Sequence, residues 1–404
     1  MMRMLQKRYI GLVLLLLMAV TASAQKAERD FIRKGNRFFK DSVYVDAEVN
    51  YRKALEANPQ STVSMFNLGN TLTQQNKLQE AMEQYVGATK VEKGKSNLAQ
   101  IYHNMGVIFH SQKDYAKAVE EITAAGKKIY PLPMYVNAWL EQHPDRPGVY
   151  PSGGPVGKLL PLWKKAAPSL DLIAPDIYLP DLKRVCEEYS VCQNPLFIPE
   201  ARRDPVTASN VFYALGGLNA LGFSPFAPED FLQEEQKTPD GELLKTLNIS
   251  VDGFSCQGTG PYLVRSYQVL RGLYPLVLKW RGTDRMTAFI RSNPWERGCI
   301  IPMDDYDLQL DYLPENPGQP GSAGIIFREE NGFYISGCQV RFTPLPKKGS
   351  ESHLTIVRLE EGEWKDGIWE AGRVLNGDEL NGRELKDMAE TKYMKVCIHK
   401  PENT

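Results

Sequence analysis

The chain has 404 residues, of which 42% are apolar and 10% aromatic, enough to build two or three packed cores, so a disordered chain is excluded. Lysine and arginine number 48 against 49 acidic residues, and this balance argues against nucleic acid or an anionic membrane as partner. Six cysteines are too few for a disulfide-stapled scaffold. No metal or nucleotide motif occurs, so we predict no metal site and no cofactor.

The first 24 residues have the three parts of a secretory signal peptide. Arg3, Lys7 and Arg8 precede an apolar run, and Ala22-Ser23-Ala24 forms a cleavage site before Gln25. The run is short for a membrane span and no cysteine follows the cleavage site, so an uncleaved anchor is the weaker interpretation. We therefore expect residues 1–24 to be removed and the protein to be exported, to the periplasm or beyond.

An internal repeat follows, in which 34 residues separate Gly35 from Gly69, the period of helix-turn-helix TPR units. Small and aromatic residues recur in the same frame over residues 25–121: Phe38, Ala47, Tyr51, Ala54 and Pro59 in unit one, Leu68, Leu72, Ala81, Tyr85 and Ala88 in unit two, and Met105, Gly106, Phe109 and Ala118 in unit three. This pattern predicts an all-α array whose groove holds a protein or peptide partner.

The third unit departs from the pattern. Ile122 stands where the other units have tyrosine, and Gly126 is expected to interrupt the helix. The array then lacks a capping helix, so another segment must cover its last apolar face. Up to about Glu121 the array resembles the TPR proteins of the aerotolerance operon in anaerobic bacteria. That resemblance implies an exported or membrane-associated protein that acts in protein assemblies.

From Tyr130 short apolar strands alternate with helical stretches, which favours parallel βα units. The predicted strands are residues 133–139, 170–178, 194–200 and 221–226, and the predicted helices are residues 156–167, 179–189, 206–218 and 262–277. We therefore predict a partial (β/α)8 barrel over residues 122–323. Ala116 to Glu121 suits both the last TPR helix and the helix before the first of these strands, so one continuous helix can join the two parts.

Polar and aromatic residues follow the apolar strand cores, where barrels place their active sites. They are Asn137, Trp139, Asp176, Tyr178, Glu200, Ser224, Phe226 and Glu229. Flat rings stack on the C–H faces of sugars, and carboxylates accept hydrogen bonds from sugar hydroxyls. The pattern is typical of a carbohydrate site.

Five ordered segments within residues 119–404 resemble the second half of β-galactosidase-type glycoside hydrolases related to family 35: YPLPMYVNAWL, PSGGPV, LIAPDIYLPD, NPLFIPEARRD and ALGFSPFAPED. The resemblance implies a retaining mechanism on a β-galactoside or related glycan. It also implies that Glu200 is the nucleophile at the end of barrel strand seven, and that Asp176 shapes the sugar pocket. The alternative interpretation of Glu200 is a carboxylate paired with Arg202 or Arg203, and the motif match favours the nucleophile by descent.

The same resemblance implies that half of the catalytic apparatus is missing. Retaining hydrolysis needs a second carboxyl group as acid/base, and the family places it in an Asn-Glu pair at strand four. This chain has strands five to eight only, with TPR units in place of the others. Asp176 and Glu229 are the nearest substitutes, but neither is expected to face Glu200 as proton donor. We expect impaired or no catalysis.

Two other interpretations stay open. In the first, the chain is a TPR scaffold of the cell envelope with a vestigial carbohydrate-binding remnant. In the second, the fusion is a product of recombination, gene prediction or assembly and has no selected joint function. Open edges of a partial barrel also predict self-association.

Residues 324–404 read as an antiparallel accessory β module, with strands at residues 324–327, 332–335, 339–342 and 354–357. Trp364 and Trp369 in this module match the accessory domain of the same hydrolase family. They suit polysaccharide binding or a place in the core.

Overall fold

The computed structural model describes residues 24–111, 114–142, 145–146, 149, 155–232, 241–246, 248–330, 332–381, 383–386 and 390–399. The predicted signal peptide lies outside them, except for Ala24. The chain forms two compact units. The first comprises Met1–Met134 and Trp163–Leu170, and the second comprises Tyr135–Leu162 and Asp171–Thr404.

The first unit consists of helix pairs, which confirms the predicted TPR repeats. Its helices are α1 (24–40), α2 (Tyr44–Ala57), α3 (Thr62–Gln74), α4 (Leu78–Val91), α5 (Lys95–Ser111) and α6 (Tyr115–Ile129). A Cβ atom on Gly35, Gly69 or Gly106 would lie 2.6 Å from Tyr51, Tyr85 and Ile122, respectively. The missing side chain lets the two helices of each pair touch, and Ile122 takes the tyrosine position as predicted.

Helix α6 differs from the sequence prediction at Gly126 and agrees with it at the junction. Helix α6 runs unbroken through Gly126 to Ile129, whereas the sequence predicts an interruption. Gly126 instead makes room for a neighbour, since a Cβ there would lie 3.0 Å from Met134 Cε. The junction residues 116–121 lie inside this one helix, as predicted.

A segment further along the chain belongs to the same unit as the array. Residues Trp163–Leu170 belong to the first unit, and their apolar side chains are buried: Trp163, Ala167 and Leu170. The Ser169 backbone N–H and hydroxyl donate to the two carboxylate oxygens of Glu120, at 2.8 and 2.7 Å. This segment therefore belongs to the first unit and is hydrogen-bonded to the last helix of the array.

The second unit begins with parallel strands. Strands β1 (Tyr135–Ala138), β2 (Leu172–Ile177) and β3 (Glu200–Ala201) pair in that order, and α8 (Leu182–Tyr189) and α9 (Val206–Leu218) follow β2 and β3. Helix α7 (Leu160–Ala166) comes between β1 and β2 in sequence, and its residues from Trp163 onward belong to the first unit. Residues 221–226 form no strand, although Ile198 and Phe223 make a parallel bridge and Ser224 N–H donates to Ile198 O at 2.9 Å. The structure thus contains a three-stranded parallel sheet where four strands were predicted. Only the end of the predicted third strand, residues 194–200, pairs as a strand.

Three helices then lead to an antiparallel region that starts at Met286, before the predicted residue 324. They are α10 (Gly241–Thr246), α11 (Val251–Phe254) and α12 (Thr259–Trp280), and among the helices described none is long and apolar enough to cross a bilayer. The strands are β4 (Met286–Ile290), β5 (Gly298–Pro302), β6 (Tyr306–Tyr312), β7 (Ala323–Glu329), β8 (Gly332–Cys338), β9 (Val340–Pro346), β10 (His353–Lys365), β11 (Ile368–Leu375), β12 (Glu384–Leu385) and β13 (Glu390–His399).

These strands form two sheets, in the orders β11-β10-β13-β8-β7-β4 and β12-β9-β6-β5. Their alternating apolar residues share one buried cluster that includes Leu308, Phe333, Phe342, Leu359 and Met394. Helix α12 packs closely on β10, because a Cβ on Gly272 would lie 2.0 Å from the Trp364 carbonyl oxygen. The predicted antiparallel module is confirmed.

Candidate functional site

A repeated set of amide hydrogen bonds links the first helices of the TPR units. Tyr51 donates to Asn36 Oδ1 at 2.7 Å, and Asn67 of the next unit donates to the same oxygen at 3.2 Å. One repeat further on, Tyr85 donates to Asn70 Oδ1 at 2.6 Å and Asn104 donates to it at 2.7 Å. We call Asn36, Asn67, Asn70 and Asn104 the amide ladder.

The repeat geometry explains the ladder. Asn36 and Asn70 directly follow Gly35 and Gly69, so each lies beside the tyrosine of its own unit. In unit three Val107 and Ile122 replace the Asn–Tyr pair together. The ladder amides other than Asn36 are half-buried, and Asn36 is exposed. Aligned amides of this kind can bind the N–H and C=O groups of an extended peptide.

In the second unit, two carboxyl groups lie side by side at the ends of β2 and β3. Asp176 and Glu200 are register partners on these neighbouring parallel strands, which run about 4.8 Å apart. Asn137 at the end of β1 donates to Asp176 Oδ1 at 2.8 Å. Tyr178 donates to Glu200 Oε1 at 2.5 Å. The strand-end positions predicted from the sequence therefore meet in one cluster.

The surroundings of the pair change its protonation. Burial, followed by the nearby Glu200 charge, raises the pKa of Asp176 to about 7, against the lowering effect of the Asn137 hydrogen bond. Burial and the hydrogen bond to Glu200 raise the pKa of the Tyr178 phenol, so it stays a hydrogen-bond donor at neutral pH. Near neutral pH Asp176 can hold a proton beside Glu200.

Aromatic rings form one wall of the cluster. The Tyr178 ring centroid lies 6.2 Å from that of Trp139 and 6.4 Å from that of Phe226, both predicted site residues. It also stacks on Phe254 at 5.2 Å. Phe254 ends the short helix α11, far along the chain, and no strand-end pattern marks it, so the sequence interpretation missed it.

Beside this wall lies a cavity of about 270 Å³ that is lined by Trp139, Asp176, Tyr178, Arg202 and Asn248, among others. The volume is just below the 300–1,000 Å³ that is usual for small-molecule sites, which suits a compact ligand. The Trp139 indole N–H is buried and has no hydrogen-bond partner among the described residues.

The neighbouring arginines have their own partners. Arg202 donates to both Asp204 oxygens at 2.7 and 2.6 Å, and Arg203 donates to Asp230 at 2.7 Å. The ion-pair interpretation of Glu200 with either arginine finds no support in these contacts.

Glu229 was predicted to bind substrate, but it is exposed in the 3-10 turn Pro228–Leu232 and does not line the cavity. Its neighbour Asp230 is the residue that contacts Arg203. The predicted site residues Asn137, Glu200 and Phe226 do not line the cavity either, although each contacts Asp176 or Tyr178, which do.

The cluster offers a ligand two neighbouring carboxyl groups, because Asp176 and Glu200 are register partners on adjacent parallel strands. Protonated Asp176 can donate one hydrogen bond and accept others, and Glu200 can accept. Together they match a pair of sugar hydroxyls.

Comparisons with known proteins match different families to the two units. Tetratricopeptide repeat families match residues 50–83 and 99–125, and the family described as "Domain of unknown function (DUF5597)" matches residues 263–386. No curated protein matches the chain. Among solved structures, the TPR2B-domain:pHsp70-complex of yeast Sti1 is 18% identical, with a TM-score of 0.24, over 26% of this chain and 80% of that one. The N-terminal part thus carries tetratricopeptide repeats, and a domain of unknown function lies within the second unit.

Proposed function

We propose that the chain is an exported TPR protein that binds a partner protein along the amide ladder. The observation that best supports this proposal is that the ladder repeats from one unit to the next, at half-buried or exposed positions. TPR repeats serve protein interaction, and an extended peptide segment of the partner has the periodic N–H and C=O groups that such amides bind.

The test uses the chain from Gln25 onward and peptides selected against it from a displayed random library. Asn67→Ala with Asn104→Ala should weaken the selected peptides about tenfold or more, since each lost amide removes a hydrogen bond. Asn97→Ala is the matched control, because Asn97 is exposed and bonds only to Glu92 at 3.2 Å among the described contacts. Equal losses in both variants, or selection of no peptide, would count against the proposal.

A second function is favoured by the Asp176–Glu200 cluster. We propose that the second unit descends from a β-galactosidase-type hydrolase, has lost most or all turnover, and binds a β-galactoside or related glycan. Support comes from the paired carboxyl groups and the aromatic wall. In this proposal Glu200 stands at the former nucleophile position.

Two measurements separate binding from catalysis. An aryl β-galactoside should give no released aryl alcohol above background, while a galactoside analogue should bind to the chain and bind about tenfold or more weakly to Glu200→Gln. Glu229→Gln is the matched control at an exposed position and should bind as the native chain does. Turnover that Glu200→Gln abolishes would restore the hydrolase interpretation, and absence of both binding and turnover would remove a glycan role.

Export is tested separately. The secreted or periplasmic product should begin at Gln25 by N-terminal sequencing. A product that keeps Met1 would contradict cleavage of the predicted signal peptide.

A further inference from the structure

A second cavity, of about 460 Å³, adjoins the glycan cavity beside the Asp176–Glu200 cluster. Pro180 and Arg202 line both cavities. The rest of the second lining comes from helix α9 and from two segments of the antiparallel region, within residues 290–294 and 315–322. Its volume is in the usual range of small-molecule sites. A ligand longer than one compact group can therefore extend from the first cavity into the second.

The second cavity contains a buried amide without a partner. Asn210 lies in the second turn of α9 and is only 3% exposed. Its side chain makes no hydrogen bond with any residue that the structure describes, yet both of its polar atoms keep accessible surface. Because Asn210 lines the cavity, this surface opens there. The amide is therefore satisfied only from the cavity, by water or by a ligand.

The charged residues of the lining already have partners. They are Arg202, Arg291 and Glu315. Arg202 donates to both oxygens of Asp204, and Arg291, whose side chain is 7% exposed, pairs with Glu315 at 3.3 Å. Arg291 also donates to two backbone carbonyl oxygens, at 3.3 and 2.6 Å. The groups left to bind a ligand are neutral amides and hydroxyls, which favours a neutral polar ligand over an ion.

These neutral groups match the hydroxyls of a sugar. The Asn210 amide has a donor and an acceptor side by side, and two hydroxyls on neighbouring ring carbons can accept from the one and donate to the other. Asn316 donates to Gln319 Oε1 at 3.0 Å, and both side chains are exposed. This contact leaves the NH₂ group of Gln319 as a further donor in the lining.

We propose that the second cavity binds the second sugar residue of a β-galactoside, held by Asn210 and Gln319. The galactosyl residue occupies the glycan cavity, and the sugar linked to it lies past Pro180 and Arg202, which line both spaces. The preferred ligand is therefore at least a disaccharide. This inference rests on the glycan function proposed above and adds the length of the glycan to it.

The first test is calorimetric titration of the full chain with methyl β-galactoside, lactose and a set of β-linked galactobioses. At least one disaccharide should bind about tenfold or more tightly than methyl β-galactoside. If methyl β-galactoside binds and every disaccharide binds equally or more weakly, this inference is overturned and the glycan proposal stands. Absence of binding by all of these sugars removes the glycan proposal and this inference with it.

The second test uses matched amide variants. Asn210→Leu should remove the advantage of the disaccharide and leave the affinity for methyl β-galactoside unchanged, and we expect it to fold because it loses no internal hydrogen bond. Asn376→Ala, at an exposed amide that lines neither cavity, should keep the full advantage. Should Asn210→Leu fail to fold, Gln319→Ala must weaken binding of the disaccharide alone. An unchanged advantage in folded Asn210→Leu, or in Gln319→Ala, contradicts the proposed contacts.

Discussion

The protonation of Asp176 links one residue to the stability of the second unit. Its pKa in the folded chain is about 7, above the value of 3.8 for an unperturbed aspartate, so the folded state holds the proton more tightly than the unfolded state does. The stabilising effect of that proton is therefore fully present below about pH 4 and is lost as the pH rises through about 7. Above that range an ionised Asp176 stays unfavourable beside Glu200.

Asp176→Asn should remove this pH dependence. We expect the variant to gain roughly 1–2 kcal/mol in free energy of unfolding at pH 8 relative to the native chain, after allowance for solvent screening, and little at pH 4. Denaturant titrations followed by tryptophan fluorescence report on the second unit, since every tryptophan except Trp163 belongs to it. Glu229→Gln, at an exposed residue, should keep the native pH dependence, and the same loss there would disprove the assignment.

At the residue scale, strand-end positions were predictable because residues that follow apolar strand cores collect at one edge of a parallel sheet. Asn137, Asp176 and Glu200 met this expectation in the structure. Phe254 was not predictable, because it lies on a helix from elsewhere in the chain that packs beside the site.

At the scale of helices, close glycine contacts hold the repeat together. Gly69→Ala should cost about 1–3 kcal/mol, because the new methyl group would lie 2.6 Å from the Tyr85 ring. Gly87→Ala in α4 is the matched control, with Met65 Sδ at 3.5 Å, and should gain up to about 1 kcal/mol from helix propensity. Thermal unfolding followed by circular dichroism distinguishes the two. Equal effects would mean that the Gly69 contact is not tight.

The packing of α12 on the β10–β11 hairpin is tested in the same way. Gly272→Ala should cost more than 1 kcal/mol, since its methyl group would lie 2.0 Å from a backbone oxygen that has little freedom to move. Gly241→Ala, which has no atom within 4 Å, should be close to neutral. The readout is the midpoint of tryptophan-monitored unfolding, and a neutral Gly272→Ala would contradict the close approach.

Helices were predictable from the sequence where residues recur at a fixed spacing. Strands were not predictable where their pairing with neighbouring strands determines whether they form. Glycine and tyrosine recur at fixed spacing, so the helix pairs were predictable down to Ile122. Residues 194–200 have strand composition, yet only Glu200–Ala201 pairs as a strand, because pairing depends on how the neighbouring chain runs. Strands β4 to β6 were also missed. They lack long apolar runs, so the sequence alone did not indicate that they pair with other strands.

At the scale of the whole molecule, the first unit includes residues that follow the TPR array at a distance in sequence. The sequence predicts that another segment covers the last apolar face, and we expect Trp163–Leu170 to do so, because this segment belongs to the first unit, buries apolar side chains and forms the Ser169–Glu120 hydrogen bonds. No repeat pattern marks this segment, since it belongs to no TPR unit. Residues 25–121 alone should therefore be less stable than the same helices in the full chain.

A single substitution outside the repeats tests this dependence. Leu170 is 2% exposed, so Leu170→Ala should cost about 2–5 kcal/mol in the first unit, although it lies far beyond α6 in sequence. Leu162→Ala is the matched control, because Leu162 is 61% exposed and only a few residues away, and it should change stability little. Helix loss on heating, followed by circular dichroism in the full chain, measures both. If Leu170→Ala leaves the helical transition where Leu162→Ala does, the segment does not cap the array and the repeats must be stable without it.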